Sequence, residues 1–273
     1  MPKIRINDVG IYYEMIGQGE PVLFIHGLAS SSRSWEKQIP LFSQHYRVIT
    51  FDLRGHGRSD KPLGPYSIEQ FAADAIELLR TLDIKSANLV GFSLGGMVGF
   101  QMAVEAPEKV KGLVAVNCCP EGSVRSFDDG IDCFKHILLL QLNGTRKMRQ
   151  CPNRQPLPIP NNGQSRQSVT ERLAVRNKLA YASAFRSLMG WSVVNRLHTI
   201  ACPILLIASD QDYIPVSVKQ AYVSKMPRAE LAVIGNSGHA TPREQVEEFN
   251  NVVMEFLSKQ SRTTHNSQLR SVR

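Results

Sequence analysis

Short apolar runs alternate along the chain with longer segments in which apolar residues recur every three or four positions. The runs are rich in Val, Ile and Leu and do not alternate strictly with polar residues, a pattern typical of strands buried on both faces. They are PVLFIHG from Pro21, YRVITFD from Tyr46, ANLVGFS from Ala87, VKGLVAVN from Val110, CPILLIAS from Cys202 and AELAVIGN from Ala229. Because helical sequence separates the runs, the pattern predicts an α/β fold with a mostly parallel, doubly wound sheet and flanking helices.

Two segments near the start of the chain add detail to this pattern. The stretch IRINDVGIYYEM, from Ile4, predicts an antiparallel hairpin at the sheet edge with its turn at Asn7 and Asp8. Between Ser67 and Leu82, a broad apolar stripe predicts a helix that faces the sheet and begins with a capping box.

One long segment interrupts the alternation, between the strand that ends near Asn117 and the strand that opens at Pro203. Its first part carries prolines at positions 152, 156, 158 and 160, which prevent a continuous helix, and helical sequence follows. Unstructured loops of this length are uncommon inside a compact core. Residues 121–190 are therefore predicted to form a helical cap above the carboxyl edge of the sheet, where open α/β sheets bind ligands.

Composition places the chain among ordinary globular proteins. Of its 273 residues, 42% are hydrophobic and 21% are charged, so the chain can bury a large core. The core is predicted to comprise residues 1–120 and 191–258. The chain has no apolar run of the roughly 18 residues that cross a bilayer, and its polar start lacks the features of a secretory signal. Five cysteines without a CxxC pair indicate reduced thiols, and we expect a cytoplasmic protein.

The net charge of +8 raises the question of an anionic partner. Basic residues concentrate in TRKMRQCPNRQ, from Thr145, and in residues 259–273, which are predicted to form a flexible tail. Neither stretch interleaves aromatic residues with the charges, so we expect solvated segments and no nucleic-acid partner. The sequence leaves the oligomeric state open.

The stretch LVGFSLGG, from Leu89, places one serine between glycines where a buried strand meets a helix. Its G-x-S-x-G spacing puts Ser93 on a sharp turn that Gly91 and Gly95 permit, with the hydroxyl exposed at the top of the sheet. A phosphate-binding loop is the alternative, but neither GxGxxG nor a terminal Gly-Lys-Ser/Thr occurs in the chain. The context favours a nucleophilic serine.

A serine hydroxyl is a weak nucleophile, so it needs a base, and the base needs an orienting acid. His239 stands after the last predicted strand, in a loop where Thr241 is predicted to cap a helix and Glu244 to complete the capping box. For the acid, Asp212 follows a buried strand and precedes a proline, and Asp210 is the alternative.

With these residues in place, the chain resembles the α/β-hydrolase fold superfamily, and within it the small serine esterases and lactonases. The resemblance spans roughly residues 3–258 and rests on FIHGLASSSRSW, FDLRGHGRSDKP, GFSLGG, SDQDYIPV and SGHATP. It implies that Ser93 is the nucleophile, Asp212 the acid and His239 the base.

The resemblance also implies the parts around this triad. The backbone amides of Leu28 and Leu94 would form the oxyanion hole, His26 would organise its loop, and His56 would belong to a structural turn. A serine rather than an aspartate at the sharp turn argues against haloalkane dehalogenase or epoxide hydrolase chemistry. The triad chemistry requires no metal and no organic cofactor.

The predicted cap offers large apolar side chains that either line an acyl or alcohol pocket or pack the cap itself. Those placed in the substrate pocket are Phe134, Leu188 and Trp191. We expect a small-molecule carboxylic ester or lactone as substrate, cleaved through an acyl-enzyme. C–C bond hydrolysis, amide hydrolysis and cofactor-free perhydrolysis use the same triad and stay open, as does a ligand receptor with slow turnover.

Overall fold

The computed structural model describes residues 3–122 and 178–271. The strands are β1 Lys3–Ile6, β2 Val9–Ile16, β3 Pro21–Ile25, β4 Arg47–Phe51, β5 Ala87–Phe92, β6 Val110–Val116, β7 Ile204–Ser209 and β8 Ala229–Ile234. The helices are α1 Ile39–Phe42, α2 Ile68–Thr81, α3 Leu94–Glu105, α4 Lys178–Arg186, α5 Val216–Val223, α6 Thr241–Glu244 and α7 Val246–Ser271.

The strands form a single eight-stranded sheet in the order β1-β2-β4-β3-β5-β6-β7-β8. All neighbours from β4 to β8 are parallel, and β2 is antiparallel to both β1 and β4. This arrangement confirms the predicted doubly wound fold. The carboxyl ends of the parallel strands lie at one edge of the sheet, where the loops after β3, β5, β6, β7 and β8 come together.

The burial expected for every apolar run holds in the central strands and fails at the edge. Each residue of β7 is buried, whereas β8 has intermediate or exposed positions along most of its length, and Val233 is 49% exposed. The prediction of burial on both faces is therefore wrong for β8. The reason is its position, since β8 is the last of the described strands in the sheet order and pairs with β7 alone among them.

The amino-terminal hairpin and the first crossover helix follow the sequence pattern closely. Asn7 and Asp8 have φ values of 44° and 64°, the left-handed conformation that a tight two-residue hairpin turn requires. At the start of α2, the Ser67 hydroxyl accepts a hydrogen bond of 3.1 Å from the Gln70 backbone N–H. The reciprocal bond of the predicted capping box does not form, since Oε1 of Gln70 has no hydrogen-bond partner among the described residues. A buried ion pair between Arg54 and Asp74, with Nε–Oδ2 at 2.5 Å, ties α2 to the loop after β4.

Between β6 and β7, the described residues 117–122 and 178–203 contain helix α4 and no strand. Glu121 and Ser192, at the two ends of the insertion, form an isolated antiparallel bridge. Helix α7 continues to Ser271 and so includes most of residues 259–273, which the sequence predicts to form a flexible tail. Residues 259–271 contain neither proline nor glycine, so the sequence has no helix-ending residue there.

Within the two described ranges, no helix has the length and apolar character needed to cross a membrane.

Candidate active site

Ser93 occupies the turn between β5 and α3 in a strained backbone conformation. Its φ of 54° and ψ of −118° are rare for a residue with a side chain. The two flanking glycines make the turn possible, since a Cβ at Gly91 would collide with the Gly95 carbonyl and a Cβ at Gly95 would collide with the Ile25 carbonyl. The sharp strand-to-helix turn therefore has the form that the G-x-S-x-G spacing predicts.

Three side chains from separate loops meet at this edge of the sheet. The His239 ring follows β8, and its Nε2 lies 3.0 Å from the Oγ of Ser93. On its other side, His239 Nδ1 lies 2.9 Å from Oδ1 of Asp212, which follows β7. A carboxylate only accepts hydrogen bonds, so Nδ1 is the donor and, in the neutral ring, Nε2 is free to accept from the serine hydroxyl.

The carboxylate of Asp212 is fully buried and shared between two partners. Its second oxygen, Oδ2, accepts a hydrogen bond of 2.7 Å from Nζ of Lys219, whose side chain is also fully buried. Desolvation by burial, which alone would raise the pKa of Asp212, is outweighed by the charges and hydrogen bonds of His239 and Lys219, so the pKa is lowered. Asp212 is therefore held as a carboxylate at neutral pH.

The two acids of the SDQD stretch have different partners. Asp210 accepts hydrogen bonds from the backbone N–H groups of Asn236 and Ser237, at 3.0 and 3.1 Å. These bonds fix the loop that follows β8, whereas Asp212 contacts the ring of His239. Of the two acids that the sequence offers, Asp212 is the one that the structure brings to the histidine.

Two aromatic rings flank the imidazole. The ring of Phe92 lies 5.1 Å from the His239 ring, centre to centre, and the ring of Tyr213 lies 4.7 Å from it. Each aromatic residue is a chain neighbour of a site residue, Ser93 or Asp212. The His239 side chain keeps 14% exposure, so the imidazole packs against two aromatic rings while remaining reachable from solvent.

The capping expected after His239 is wrong. Helix α6 begins at Thr241, and no side chain caps it. The Thr241 hydroxyl instead lies in a buried network, where it accepts a hydrogen bond of 2.8 Å from Nδ2 of Asn117. The Glu244 carboxylate accepts a hydrogen bond of 2.6 Å from the backbone N–H of Gly238. It therefore stabilises the loop before the histidine and does not complete a capping box.

Asn117, which the sequence reading did not select, links three loops. It comes directly after β6, has a φ of 47°, and its side chain is fully buried. Its Nδ2 lies 2.9 Å from the backbone oxygen of His239, and its Oδ1 accepts a bond of 3.0 Å from the Ser209 N–H. This amide therefore connects the ends of β6 and β7 to the histidine loop.

Of the residues predicted to supply oxyanion amides, Leu94 directly follows Ser93, and Leu28 follows Gly27, at which a Cβ would contact the Phe92 ring. Leu94 is the first residue of α3, where helical N–H groups have no carbonyl one turn earlier to bind. Leu28 lies in the loop after β3, and His26 in the same loop accepts a hydrogen bond of 3.0 Å from the Leu53 N–H. The ring of His56 packs 5.1 Å from that of His26.

Of the three predicted pocket residues, Leu188 and Trp191 are buried at the carboxyl end of the insertion, while Phe134 lies outside the described residues. The indole Nε1 of Trp191 donates a hydrogen bond of 2.8 Å to Oε1 of Gln101, in α3. This bond connects the end of the insertion to the helix that begins at the serine turn.

The fold agrees with the comparisons to known proteins. A family model described as alpha/beta hydrolase fold matches residues 20–158, and the chain belongs to this family. Its relatives include 3-oxoadipate enol-lactonase 2 of Acinetobacter baylyi, 29% identical, with 94% of this chain and 96% of the relative covered. A RutD protein of Yersinia enterocolitica, named as a carbamate hydrolase, is 31% identical, with 90% and 92% covered.

Solved structures share this fold. Est816, described as an N-acyl homoserine lactone degrading enzyme, is 28% identical with a TM-score of 0.75, and 93% of this chain and 100% of that chain are covered. The enol-lactonase of Burkholderia xenovorans LB400 is 22% identical with a TM-score of 0.79, with 94% and 100% covered, and so shares the fold.

Proposed function

We propose that the protein is a serine hydrolase that cleaves carboxylic esters or lactones of small molecules through an acyl-enzyme. The observation that carries this proposal is the hydrogen-bonded path from Ser93 to His239, at 3.0 Å, and on to Asp212, at 2.9 Å. A hydroxyl, an imidazole and a buried carboxylate in this order are the nucleophile, base and orienting acid of acyl transfer.

In the first half of the reaction, Ser93 Oγ attacks the carbonyl carbon of the substrate and its proton passes to His239 Nε2. Asp212 holds the ring in the required tautomer and stabilises the imidazolium ion. The N–H groups of Leu28 and Leu94 receive the negative oxygen of the tetrahedral intermediate, a contribution of about 3 to 4 kcal/mol per donor. The intermediate collapses when His239 returns the proton to the leaving alcohol, which leaves an acyl group on the serine.

In the second half, the same residues act on water. His239 takes a proton from a water molecule, the resulting hydroxide attacks the acyl carbon, and the serine oxygen leaves with the proton from the imidazolium. The carboxylic acid product is then released and the resting site is restored. With a lactone, the leaving alcohol stays attached to the acyl group, so the product is a single hydroxy acid.

The relatives favour esters and lactones as substrates, since they include an enol-lactonase and an enzyme described as degrading N-acyl homoserine lactones. Carbamate hydrolysis is the second candidate, because a relative of 31% identity carries that name and a carbamate carbonyl suits the same attack. A substrate panel should therefore contain esters, lactones and carbamates of matched size.

We also propose that residues 121–190 act as the cap that selects the substrate. The support is topological, since this segment leaves the sheet after β6 and returns before β7, at the edge that holds Ser93. Trp191, buried directly after this segment and bonded to α3, would form part of the pocket wall together with Leu188.

The experiment that tests the function is a Ser93→Ala variant assayed on p-nitrophenyl esters, lactones and carbamates. We expect ester or lactone turnover to fall by about 10⁴-fold or more while the circular dichroism spectrum is unchanged. A Ser258→Ala variant in α7 serves as the matched control and should retain full activity. Retained turnover in the Ser93 variant, or turnover of carbamates alone, would contradict the proposal.

A further inference from the structure

A lysine is buried in contact with the acid of the proposed triad. Lys219 lies in α5, its side chain is fully buried, and its Nζ donates hydrogen bonds to Oδ2 of Asp212, at 2.7 Å, and to the Ile214 carbonyl, at 2.9 Å. The site thus contains Ser93, His239 and Asp212 and, on the far side of the acid, a cation.

Burying an ammonium group is costly unless an opposite charge and further hydrogen bonds compensate for its lost hydration. A neutral hydrogen-bond donor at position 219 would bind the Ile214 carbonyl as well as an ammonium group does. Fixing the loop that follows β7 therefore does not by itself require a charge. What the lysine adds is a positive charge beside Asp212, on the side opposite His239.

We propose that Lys219 is a positioning residue whose ammonium charge, acting through Asp212, lowers the pH at which His239 becomes available as the general base. The proposal rests on the serine hydrolase function proposed above. The physical reason is that Asp212 alone would favour the imidazolium ion. A second cation in contact with the same carboxylate opposes that effect, because like charges disfavour each other in a poorly hydrated site.

Other titratable groups around Lys219 leave this pairing in place. The Cys118 and Cys119 thiols follow β6, and burial raises the pKa of both, to about 11 for Cys119. They are therefore neutral at neutral pH. Glu121 accepts a hydrogen bond from the hydroxyl of Tyr222, in α5, so its carboxylate has a partner of its own.

The charge count explains why such a lysine suits the proposed reaction. In the resting site, Lys219 and Asp212 cancel and the neutral His239 adds nothing. When the tetrahedral intermediate forms, the imidazolium ion contributes one positive charge and the oxyanion one negative charge, so the total stays at zero. Without the lysine, the same intermediate carries a net negative charge in a site with little water.

The test compares the pH dependence of Ser93 labelling in four proteins: wild type, Lys219→Met, Lys219→Gln and Lys225→Met. A fluorophosphonate is the probe, because its reaction needs no knowledge of the substrate: Ser93 Oγ bonds to phosphorus, fluoride leaves, and the serine proton passes to His239. Lys219→Met removes the charge and the donor, whereas Lys219→Gln removes the charge and keeps an amide donor on a side chain one atom shorter. Lys225→Met removes an exposed lysine from the segment just after α5.

We expect the acid limb of the labelling-rate profile to move to higher pH by about one unit in both Lys219 variants and to stay unchanged in Lys225→Met. Circular dichroism selects variants that fold, and the glutamine variant suffices if the methionine variant does not. If the Lys219 variants had a lower maximal labelling rate but an unchanged midpoint of the pH profile, Lys219 would only fix the loop in place, and the inference would be wrong. An equal shift of the midpoint in Lys225→Met would also overturn it. Failure of wild-type Ser93 to react at all would instead contradict the proposed function.

Discussion

The side-chain amide of Asn117 donates a hydrogen bond of 2.9 Å to the backbone carbonyl of His239, across 122 positions of sequence. Because the carbonyl belongs to the histidine itself, this bond fixes the backbone from which the imidazole projects. A base held within hydrogen-bonding distance of a nucleophile depends on such support, since small displacements of reacting groups are costly in rate.

We therefore expect Asn117→Ala to lower kcat/KM by about 10- to 100-fold and to lower the free energy of unfolding by about 1 to 3 kcal/mol. The variant leaves the Ser209 N–H and the His239 carbonyl without their buried partner. Steady-state kinetics on the best ester, together with a thermal melt, measure the two effects separately.

Asn88 provides the matched control. It is a fully buried asparagine near the start of β5, at the opposite end of that strand from Ser93, and the described residues supply no hydrogen-bond partner for its amide. Asn88→Ala should leave kcat/KM within about twofold of wild type. Equal kinetic losses in the two variants would mean that Asn117 acts through general stability and not through the histidine loop.

The second prediction separates the two acids after β7. Asp212→Asn should lower the rate by roughly 10³- to 10⁴-fold, because an amide at this position no longer stabilises the imidazolium ion or fixes the tautomer. Asp210→Asn should lose less than about tenfold, because within residues 3–122 and 178–271 its oxygens bind the Asn236 and Ser237 amides and not the histidine ring. Single-turnover rates on an activated ester give both values, and equal losses or the reverse order would reassign the acid.

The sequence pattern predicts the fold well because the signals for it are local. Each of the six apolar runs contains one strand, and the turn at Asn7 and Asp8 and the cap at Ser67 lie where the residue types require them. The turn at Ser93 is equally local. A side chain at Gly91 would collide with the Gly95 carbonyl, four residues away, and one at Gly95 would collide with a carbonyl at the end of the neighbouring strand β3.

The parts that the sequence does not reveal depend on distant contacts. Lys219 stands in PVSVKQAYV, where a single charged residue is typical of a solvent-exposed helix face. Its burial against Asp212 follows from the path that the chain takes after β7. Thr241 has the residue type of a helix cap, but Asn117, 124 positions earlier, binds its hydroxyl. In both cases a tertiary partner outweighs the local preference of the residue.

The third prediction concerns the thiols. Burial raises the pKa of Cys119 and of Cys202 to about 11, so at pH 8 only a very small fraction of either is thiolate. Alkylation by iodoacetamide at pH 8 should be about 100-fold slower in the folded protein than in guanidinium chloride. The rate should rise about tenfold per pH unit below pH 10, as long as the protein stays folded.

Peptide mass spectrometry after timed alkylation assigns the rate to each cysteine, and the denatured sample is its internal control. Ester turnover should survive partial alkylation of the folded protein, since the proposed reaction uses no thiol. Rapid modification of Cys119 in the folded protein would indicate an accessible thiol and would contradict its burial.

The last prediction addresses the proposed cap through Trp191, whose burial and hydrogen bond to Gln101 are compatible with two roles. If the indole forms a wall of the acyl pocket, Trp191→Ala opens space. Relative kcat/KM among esters of increasing chain length then shifts by about 1 to 3 kcal/mol toward longer chains. If the indole only fastens the insertion to α3, its removal lowers Tm and depresses all esters alike.

Trp191→Phe distinguishes these roles because it keeps an aromatic surface and removes only the Nε1 donor. We expect this variant to lose about 1 kcal/mol or more of stability, since the Gln101 oxygen is left without its buried donor, while the chain-length preference stays that of wild type. The alanine variant should show the shifted preference. A uniform loss across chain lengths in both variants, in step with their melting temperatures, would remove Trp191 from the pocket and leave substrate selection to other residues of the insertion.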